Sequence, residues 1–460
     1  MTLNSPLHRL PQDNKSTLLA VWTLGGPVAV QSVLASLLSV VDTLMVSALG
    51  PAALGGVGLV NRLLFVATMI VAGIASGVGV LVAQYCGAGR REEVTGPVSI
   101  ALVLALLVTL PLTAVSLFAA QPLSLWLTPD ADVAHEASTF LFWIFAYGPL
   151  TAISMTLGST LRSSGNTRTP MWAGLFALGV NTLLNYLFIT GNFGFPGYGV
   201  AAAAIATTIA RILEIGWILI VLKPSRPTKV NRAETRLVLH STLPLVFKEI
   251  FWAGGLFVCS VIISRMGKNS LAAFNLITPV DGLMISVFIG CGVASGILLG
   301  HAIGREAFDD AFHSAKRMRR IVPRVALGFG LVAALIVQFL RHQGWLLGPI
   351  DPALHDIALD SLTVLCLAVG VRTHNMMVSL GILRSGGDIR WLMLTSVGSM
   401  WLLNVPLVAL AVFVLKLSLP WVVAIMMMEE AVKVFIYRWR VRSGRWIKRP
   451  LTAPMALSGA

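Results

Sequence analysis

The octapeptide LRSSGNTR (161–168) returns 222 residues later as LRSGGDIR (383–390), with Leu, Arg, Ser, Gly and the closing Arg in matching places. A chain that carries the same loop twice at that distance is built by duplication. A second offset extends the match to other regions. Shifted by 217 residues, Pro27 falls on Pro244, Ser47 on Ser264, Gly50 on Gly267, Leu54 on Leu271, Leu81 on Leu298 and Gly87 on Gly304. The surroundings of both octapeptides are apolar. Uncharged runs near the roughly 20 residues that cross a bilayer recur from end to end. Of 460 residues, 56% are apolar and 12% charged, about half the charged share of a soluble protein. Solvated disorder, a coiled coil and an ordinary soluble enzyme are excluded on that ground.

Twelve membrane spans are expected, with cores near 18–48, 53–84, 97–120, 137–160, 170–190, 199–222, 241–266, 270–301, 322–340, 358–383, 391–415 and 419–438. The loops between them alternate in charge. One set, with both termini, holds 24 basic residues; the other set holds Arg265, Lys268, Arg341 and Lys416 and the acidic stretch Asp130, Asp132 and Glu136. The positive-inside rule then puts both termini in the cytoplasm, which requires an even number of spans. The same rule accounts for the net charge of +14 without a nucleic-acid partner. The fold class that follows is all-α and integral to the membrane, twelve transmembrane helices in two six-helix pseudo-symmetric lobes. The N-lobe is placed at 1–222, a basic cytoplasmic linker at 223–240, the C-lobe at 241–440 and a cytoplasmic tail at 441–460. Such internal repeats are typical of secondary transporters. Cys86, Cys259, Cys291 and Cys366 form no CxxC and have no close His cluster, so no metal site is expected. The polar start, Met1 to Ser16, does not read as a cleavable signal peptide. Trp345, Trp421 and Trp446 lie near span ends, where an amphipathic ring suits the interface.

Several stretches have a wider likeness. VVDTLMVSALGPAALGGVGL (40–59), GVGVLVAQYCGAGRREE (77–93), LRSSGNTRTP (161–170), NTLLNYLFITGNFGFPGYGVAAAAIAT (181–207), LRSGGDIR (383–390) and EEAVKVFIYRWRVRSGRWIK (429–448) resemble the multidrug and toxic compound extrusion (MATE) family. The resemblance covers nearly the whole chain, in order and in both halves, and is to bacterial NorM- and DinF-like members. It implies a bacterial inner-membrane antiporter that works by alternating access. The expected cargo is organic, mostly cationic compounds, exchanged for H⁺ or Na⁺, with H⁺ favoured. No cofactor other than the coupling ion is expected. The expected partners are a small-molecule substrate and the bilayer, with the protein monomeric. Two other cargoes stay open: a specific, anionic metabolite, and a lipid-linked oligosaccharide. An integral-membrane enzyme is disfavoured, because neither HExxH nor GxSxG occurs.

Ionisable groups inside spans are costly and tend to be functional. Asp42 stands in SVVDTLMVS with no cation close in sequence. Its protonation can respond to access from either side of the membrane, and the resemblance ties this first-span Asp to cation coupling. The other reading is a structural Asp bonded to polar groups of the fifth span. Asn181 and Asn185 are spaced i, i+4 and share a helix face. In similar archaeal members the second is an Asp; here the pair offers amides to Asp42 or to a coupling ion. Glu249 matches the place of a C-lobe cation-site Glu in NorM-like members. Its neighbour Lys248 is not expected to pair with it, because adjacent side chains on a helix diverge. NorM-like members also carry an acid in the tenth span, whereas this chain has Arg372, His374 and Asn375 there and no acid between Asp360 and Asp388. Arg372 demands an anion: Glu249, Asp281 or an anionic part of the substrate. Arg211 with Glu214, and Glu430 with Lys433, are spaced i, i+3 and are expected to pair within their own helices.

Overall fold

The computed structural model describes residues 10–222, 231–343 and 352–448. Its elements are α1 (Asn14–Ser47), α2 (Pro51–Gly87), α3 (Thr95–Phe118), α4 (Ala120–Leu127), α5 (Ala131–Trp143), α6 (Tyr147–Ser163), α7 (Arg168–Phe188) and α8 (Gly199–Leu222). They continue with α9 (Arg232–Ser264), α10 (Lys268–Gly304), α11 (Phe308–Gln343), α12 (Pro352–Met376), α13 (Leu383–Ser385), α14 (Ile389–Gly398), α15 (Val405–Ala409) and α16 (Leu419–Arg442). Among the described residues there is no strand. An all-helical chain of long apolar elements is what a bilayer imposes, since each backbone N–H and C=O must find its partner within the helix.

Helices stand at all twelve expected places, with three refinements. Ten are long and apolar enough to cross a membrane as single segments. The fourth span is a bent pair, α5 and α6, turned by 52°. Pro149 explains the restart, because it sits in the first turn of α6, where its missing N–H costs nothing. The twelfth, α16, has a span's length but carries Glu429, Glu430, Lys433 and Arg438 within it. Three π-helical segments, Met377–Ile382, Ser399–Asn404 and Leu410–Val414, interrupt the tenth and eleventh spans. They have no signature in the hydropathy pattern. The linker expected at 223–240 is helical from Arg232 on; its first part, 223–230, lies outside the described residues, as do Trp345 and the tail from 449.

The repeated octapeptide is a helix stop. In the first copy Asn166 N–H donates to Leu161 O at 2.9 Å and Gly165 N–H to Arg162 O at 2.9 Å. In the second, Asp388 N–H donates to Leu383 O at 3.0 Å and Gly387 N–H to Arg384 O at 3.1 Å. This is the Schellman pattern, which needs a left-handed residue after the helix. The shared glycines supply it, Gly165 at φ +95° and Gly387 at φ +80°. A side chain at either site would be strained. The other repeat-related pair, Gly87 and Gly304, serves close approach. A Cβ on Gly87 would collide with the carbonyl of His301, and one on Gly304 with that of Gln84. Gln84 and His301 are themselves 217 residues apart, so the two contacts mirror each other.

By packing, the chain divides into two compact units, Leu34–Val82 with Arg91–Ile250, and Met1–Val33 with Ala83–Arg90 and Phe251–Ala460. This division follows contacts, whereas the lobes proposed above follow the repeat. The core of the first unit joins Val57, Val60 and Leu64 of α2 to Phe140 and Leu141 of α5 and to Val200, Ala203 and Ala204 of α8. The core of the second joins Ile263 of α9, Ile277 of α10, Leu362 and Cys366 of α12, and Val422 and Val423 of α16. The four cysteines are free thiols. Trp421 is exposed, as an interfacial ring should be, but Trp446 is fully buried. After α16 the chain turns back at Gly444 (φ +69°). Trp446 then lies against Gly386, where an added Cβ would collide with its ring, and Lys448 N–H donates to Gly386 O at 3.0 Å. Trp446 is therefore a plug on the second helix stop, not an anchor in lipid.

Candidate functional site

Asp42 lies on the uncharged second half of α1 and meets the polar face of α7. Asn185 Nδ2 donates to Asp42 Oδ1 at 3.0 Å and reaches Asn181 Oδ1 at 3.3 Å. Asn181 Nδ2 donates to Thr207 Oγ1 of α8 at 3.2 Å. Turned to its second amide orientation, Asn181 instead donates to Asp42 Oδ2 at 3.2 Å and accepts from Thr207 N–H at 3.2 Å. The i, i+4 spacing thus places both amides on one carboxylate. Both asparagines are buried, and the carbonyl oxygen of Asn185 is buried without a hydrogen-bond partner. An orphaned acceptor beside a carboxylate is a place for a proton or a cation, because leaving it empty costs about 1–3 kcal/mol. Thr207 is a member of this site that the sequence reading did not single out. Its own hydroxyl donates to Ala203 O at 2.8 Å, the usual bond of a Thr within a helix.

Five other acids inside the long helices, Glu214, Glu249, Asp281, Glu429 and Glu430, are held by cations. Arg211 pairs with Glu214 at 2.6 Å, as the spacing predicts. Lys248 Nζ donates to Glu249 Oε1 at 2.9 Å, against the expectation that these neighbours diverge. Both side chains are long and nearly buried. Where water is scarce, two such groups bend toward each other rather than stay unpaired. Arg372 forks onto Asp281, with Nη2 to Oδ2 at 2.9 Å and Nη1 to Oδ1 closing the second arm. Of the partners named for Arg372, the structure thus gives it Asp281. Among the described residues, Asp42 alone of these acids has no ion pair.

A second polar cluster forms where α12 meets α16. Asn375 Nδ2 donates to Glu430 O at 2.6 Å and to Glu430 Oε2 at 2.7 Å. His374 Nδ1 donates to Asn375 Oδ1 at 3.1 Å, and His374 Nε2 is buried with no partner. Lys433 Nζ bridges Glu430 Oε1 at 2.7 Å and Glu429 Oε1 at 2.9 Å. Ser399 Oγ donates to Glu429 Oε1 at 2.6 Å. Glu429 and Glu430 therefore share one cation, Lys433, while Arg372 is taken by Asp281. The sequence reading took Glu430 and Lys433 for an isolated helix pair and did not single out Glu429 or Ser399. The signal available was the adjacent EE in an otherwise apolar span. The π-helical turn at Met377–Ile382 begins just after Asn375, a place where such turns often mark function.

A family model described as MatE matches residues 27–187 and 244–410. The two matches begin at Pro27 and Pro244, the prolines that the repeat pairs. The chain is similar to an uncharacterized transporter, YisQ, of Bacillus subtilis, 25% identical over 446 residues that cover 94% of this chain and 95% of that one. It is also similar to a probable multidrug resistance protein NorM of Burkholderia mallei, 29% identical over 405 residues and 83% of each chain. The multidrug resistance protein NorM of Vibrio vulnificus is 24% identical over 416 residues, covering 87% of this chain and 88% of that one. Among solved structures, an outward-facing multidrug resistance MATE transporter of the MOP superfamily superposes with a TM-score of 0.83 at 19% identity, over 97% of this chain and 99% of that one. A MOP superfamily transporter from Pyrococcus furiosus gives 0.82 at 20% identity, over the same shares. These two likenesses show that the chain shares their fold.

Proposed function

The chain belongs to the MatE family, and on that footing we propose that it is an H⁺-coupled antiporter that exports organic cations, with Asp42 as the coupling group. It works in the plasma membrane, with its termini on the cytoplasmic side. The observation that carries this reading is the isolation of Asp42. Glu214, Glu249, Asp281, Glu429 and Glu430 each hold a cation, and a carboxylate neutralised by a lysine or arginine has little use for a proton. Asp42 has amides instead. Asn185 and Asn181 donate to it when it is ionised. When it is protonated, its O–H needs an acceptor, and an amide turned over offers its carbonyl oxygen. The same two residues therefore serve both protonation states. One carboxylate with no cation of its own suits one proton.

One proton is enough to drive export. Exchange of one H⁺ for one monovalent organic cation moves no net charge, so the pH gradient drives it, and each tenfold proton gradient is worth about 1.4 kcal/mol, equal to a tenfold change in affinity. Binding of a proton at Asp42 favours one conformer and binding of substrate the other. Coupling strength is then the difference in affinity between the two conformers. The second cluster supports cationic cargo. Glu429 and Glu430 against the single Lys433 leave one formal negative charge, which a substrate cation neutralises. The fork of Asp281 on Arg372 occupies the guanidinium that an anionic metabolite would need.

The test is transport in liposomes that hold the purified protein and a fluorescent cationic dye, with a pH gradient and a Na⁺ gradient imposed separately. Dye movement under the pH gradient alone is the expected result. Movement under Na⁺ alone reassigns the coupling ion. No movement of any organic cation under either gradient removes the proposal.

A further inference from the structure

One group of charges has no part in that cycle. Arg319 of α11 is 8% exposed, and its Nε is buried without a hydrogen-bond partner. The guanidiniums of Arg438, Arg442 and Arg320 lie close enough to repel it. Burying a guanidinium N–H without a partner beside three like charges is costly, and no carboxylate among the described residues pairs with any of the four. Next to them a cavity of about 400 Å³ is lined by Phe435, Arg438, Trp439, Arg442 and Ser443. Phe435, Arg438, Trp439 and Arg442 follow the i, i+3, i+4, i+7 spacing, so they form one stripe along α16. The stripe is graded. Phe435 and Trp439 are 71% and 57% exposed and apolar, and Arg442 is the last residue of the helix.

We propose that this cavity is a binding site for the phosphate group of an anionic phospholipid. The phosphodiester lies against Arg438 and Arg442, with the charge of the nearby Arg319 adding to the attraction, and the glycerol and upper acyl chain lie along Phe435 and Trp439. Arginine presents planar paired donors that fit two phosphate oxygens at once. Aromatic rings favour the level of the headgroups. Basic clusters at the end of a span attract anionic lipid. A free phosphate would satisfy the arginines equally but would leave the aromatic half of the stripe without a role, and for that reason the lipid is the occupant assigned.

The test uses the full-length protein in detergent micelles, with lipid retention read by native mass spectrometry. Phosphatidylglycerol, cardiolipin, phosphatidylcholine and inorganic phosphate are titrated in turn. Wild type is compared with Arg438→Gln/Arg442→Gln and with Phe435→Ala, all at exposed positions where folding is retained. The expected result is an anionic lipid held at least tenfold more tightly than phosphatidylcholine. The double variant loses that preference, and Phe435→Ala weakens the lipid several-fold without altering phosphate. Arg319→Gln, if monodisperse, also loses the preference. Equal retention of phosphatidylcholine, or an unchanged preference in the double variant, overturns the site. Phosphate that competes at equal concentration, with no effect of Phe435→Ala, overturns the lipid as its occupant.

Discussion

Asn185 gives its amide hydrogen to Asp42 at 3.0 Å, while its own carbonyl oxygen is buried and unpartnered. The half-satisfied amide is the tunable part of the coupling site. Asn185→Ala removes the donor and leaves the carboxylate without its nearest hydrogen bond. Hydrogen bonds to charged groups are worth about 1.5–3 kcal/mol, so transport driven by a fixed pH gradient should fall roughly tenfold or more. Expression should stay near that of wild type, because Asn181 remains. Initial rates of dye movement in liposomes, normalised to reconstituted protein, check this. An unchanged rate would reduce Asn185 to a packing residue.

Arg372 and Asp281 form a forked pair with side chains that are mostly buried. Removing one partner of such a pair costs about 3–5 kcal/mol, because the other charge is left alone. Arg372→Ala should therefore be poorly expressed. Arg372→Ala/Asp281→Asn should recover folded yield, whereas Arg372→Ala/Glu249→Gln should not. Fluorescence-detected size-exclusion chromatography of the four proteins makes the comparison. Recovery by the Glu249 variant instead would assign the partner wrongly.

Lys433 bridges two carboxylates, at 2.7 and 2.9 Å. Lys433→Met strands both acids. It should cost more folded yield than Arg372→Ala, and neutralising only one of Glu429 and Glu430 should not restore it. Glu429→Gln/Glu430→Gln/Lys433→Met, with no stranded charge, should. Thermal unfolding in detergent separates these cases.

Asp388 is fully buried. It is held by Arg440 Nε at 2.6 Å and Lys448 Nζ at 2.8 Å, beside the buried ring of Trp446. The tail after α16 is thereby fastened to the second helix stop. The first stop has Asn166 at the matching place, where its Oδ1 accepts from Thr169 N–H at 3.1 Å. Trp446→Ala should lower stability by about 3–5 kcal/mol, the usual range for losing a large buried aromatic, and Asp388→Asn should release the tail to proteolysis. Limited trypsinolysis, read at Arg445 and Lys448, reports the release.

Much of this was legible in the residues because bilayers leave few options. Ten apolar runs became single helices and the fourth a bent pair, the repeated octapeptide became a pair of stops with the same backbone bonds, and the i, i+4 asparagines came to face Asp42. Arg211 found Glu214 by spacing alone. What stayed hidden depends on local crowding. The π-helical segments arise from one extra residue per turn, which hydropathy does not register. Lys248 and Glu249 pair although adjacent side chains on a helix diverge, because side-chain reach outweighs helix geometry in a dry setting. Trp446 looked like an interfacial ring, since nothing before Gly444 in the sequence says that the chain folds back. Glu429 has Lys433 at i+4 on its own helix, but its second partner, Ser399, reaches it from another helix, which spacing does not register.

The central claim is that Asp42 couples protons to export, and the most direct measurement separates coupling from binding in Asp42→Asn. Substrate affinity of the purified variant is measured by dye fluorescence, and transport by the same protein in liposomes under a pH gradient. The account predicts a dissociation constant within a few-fold of wild type and loss of transport driven by the pH gradient, with passive exchange of dye retained. Transport at the wild-type rate by Asp42→Asn under the pH gradient would contradict it.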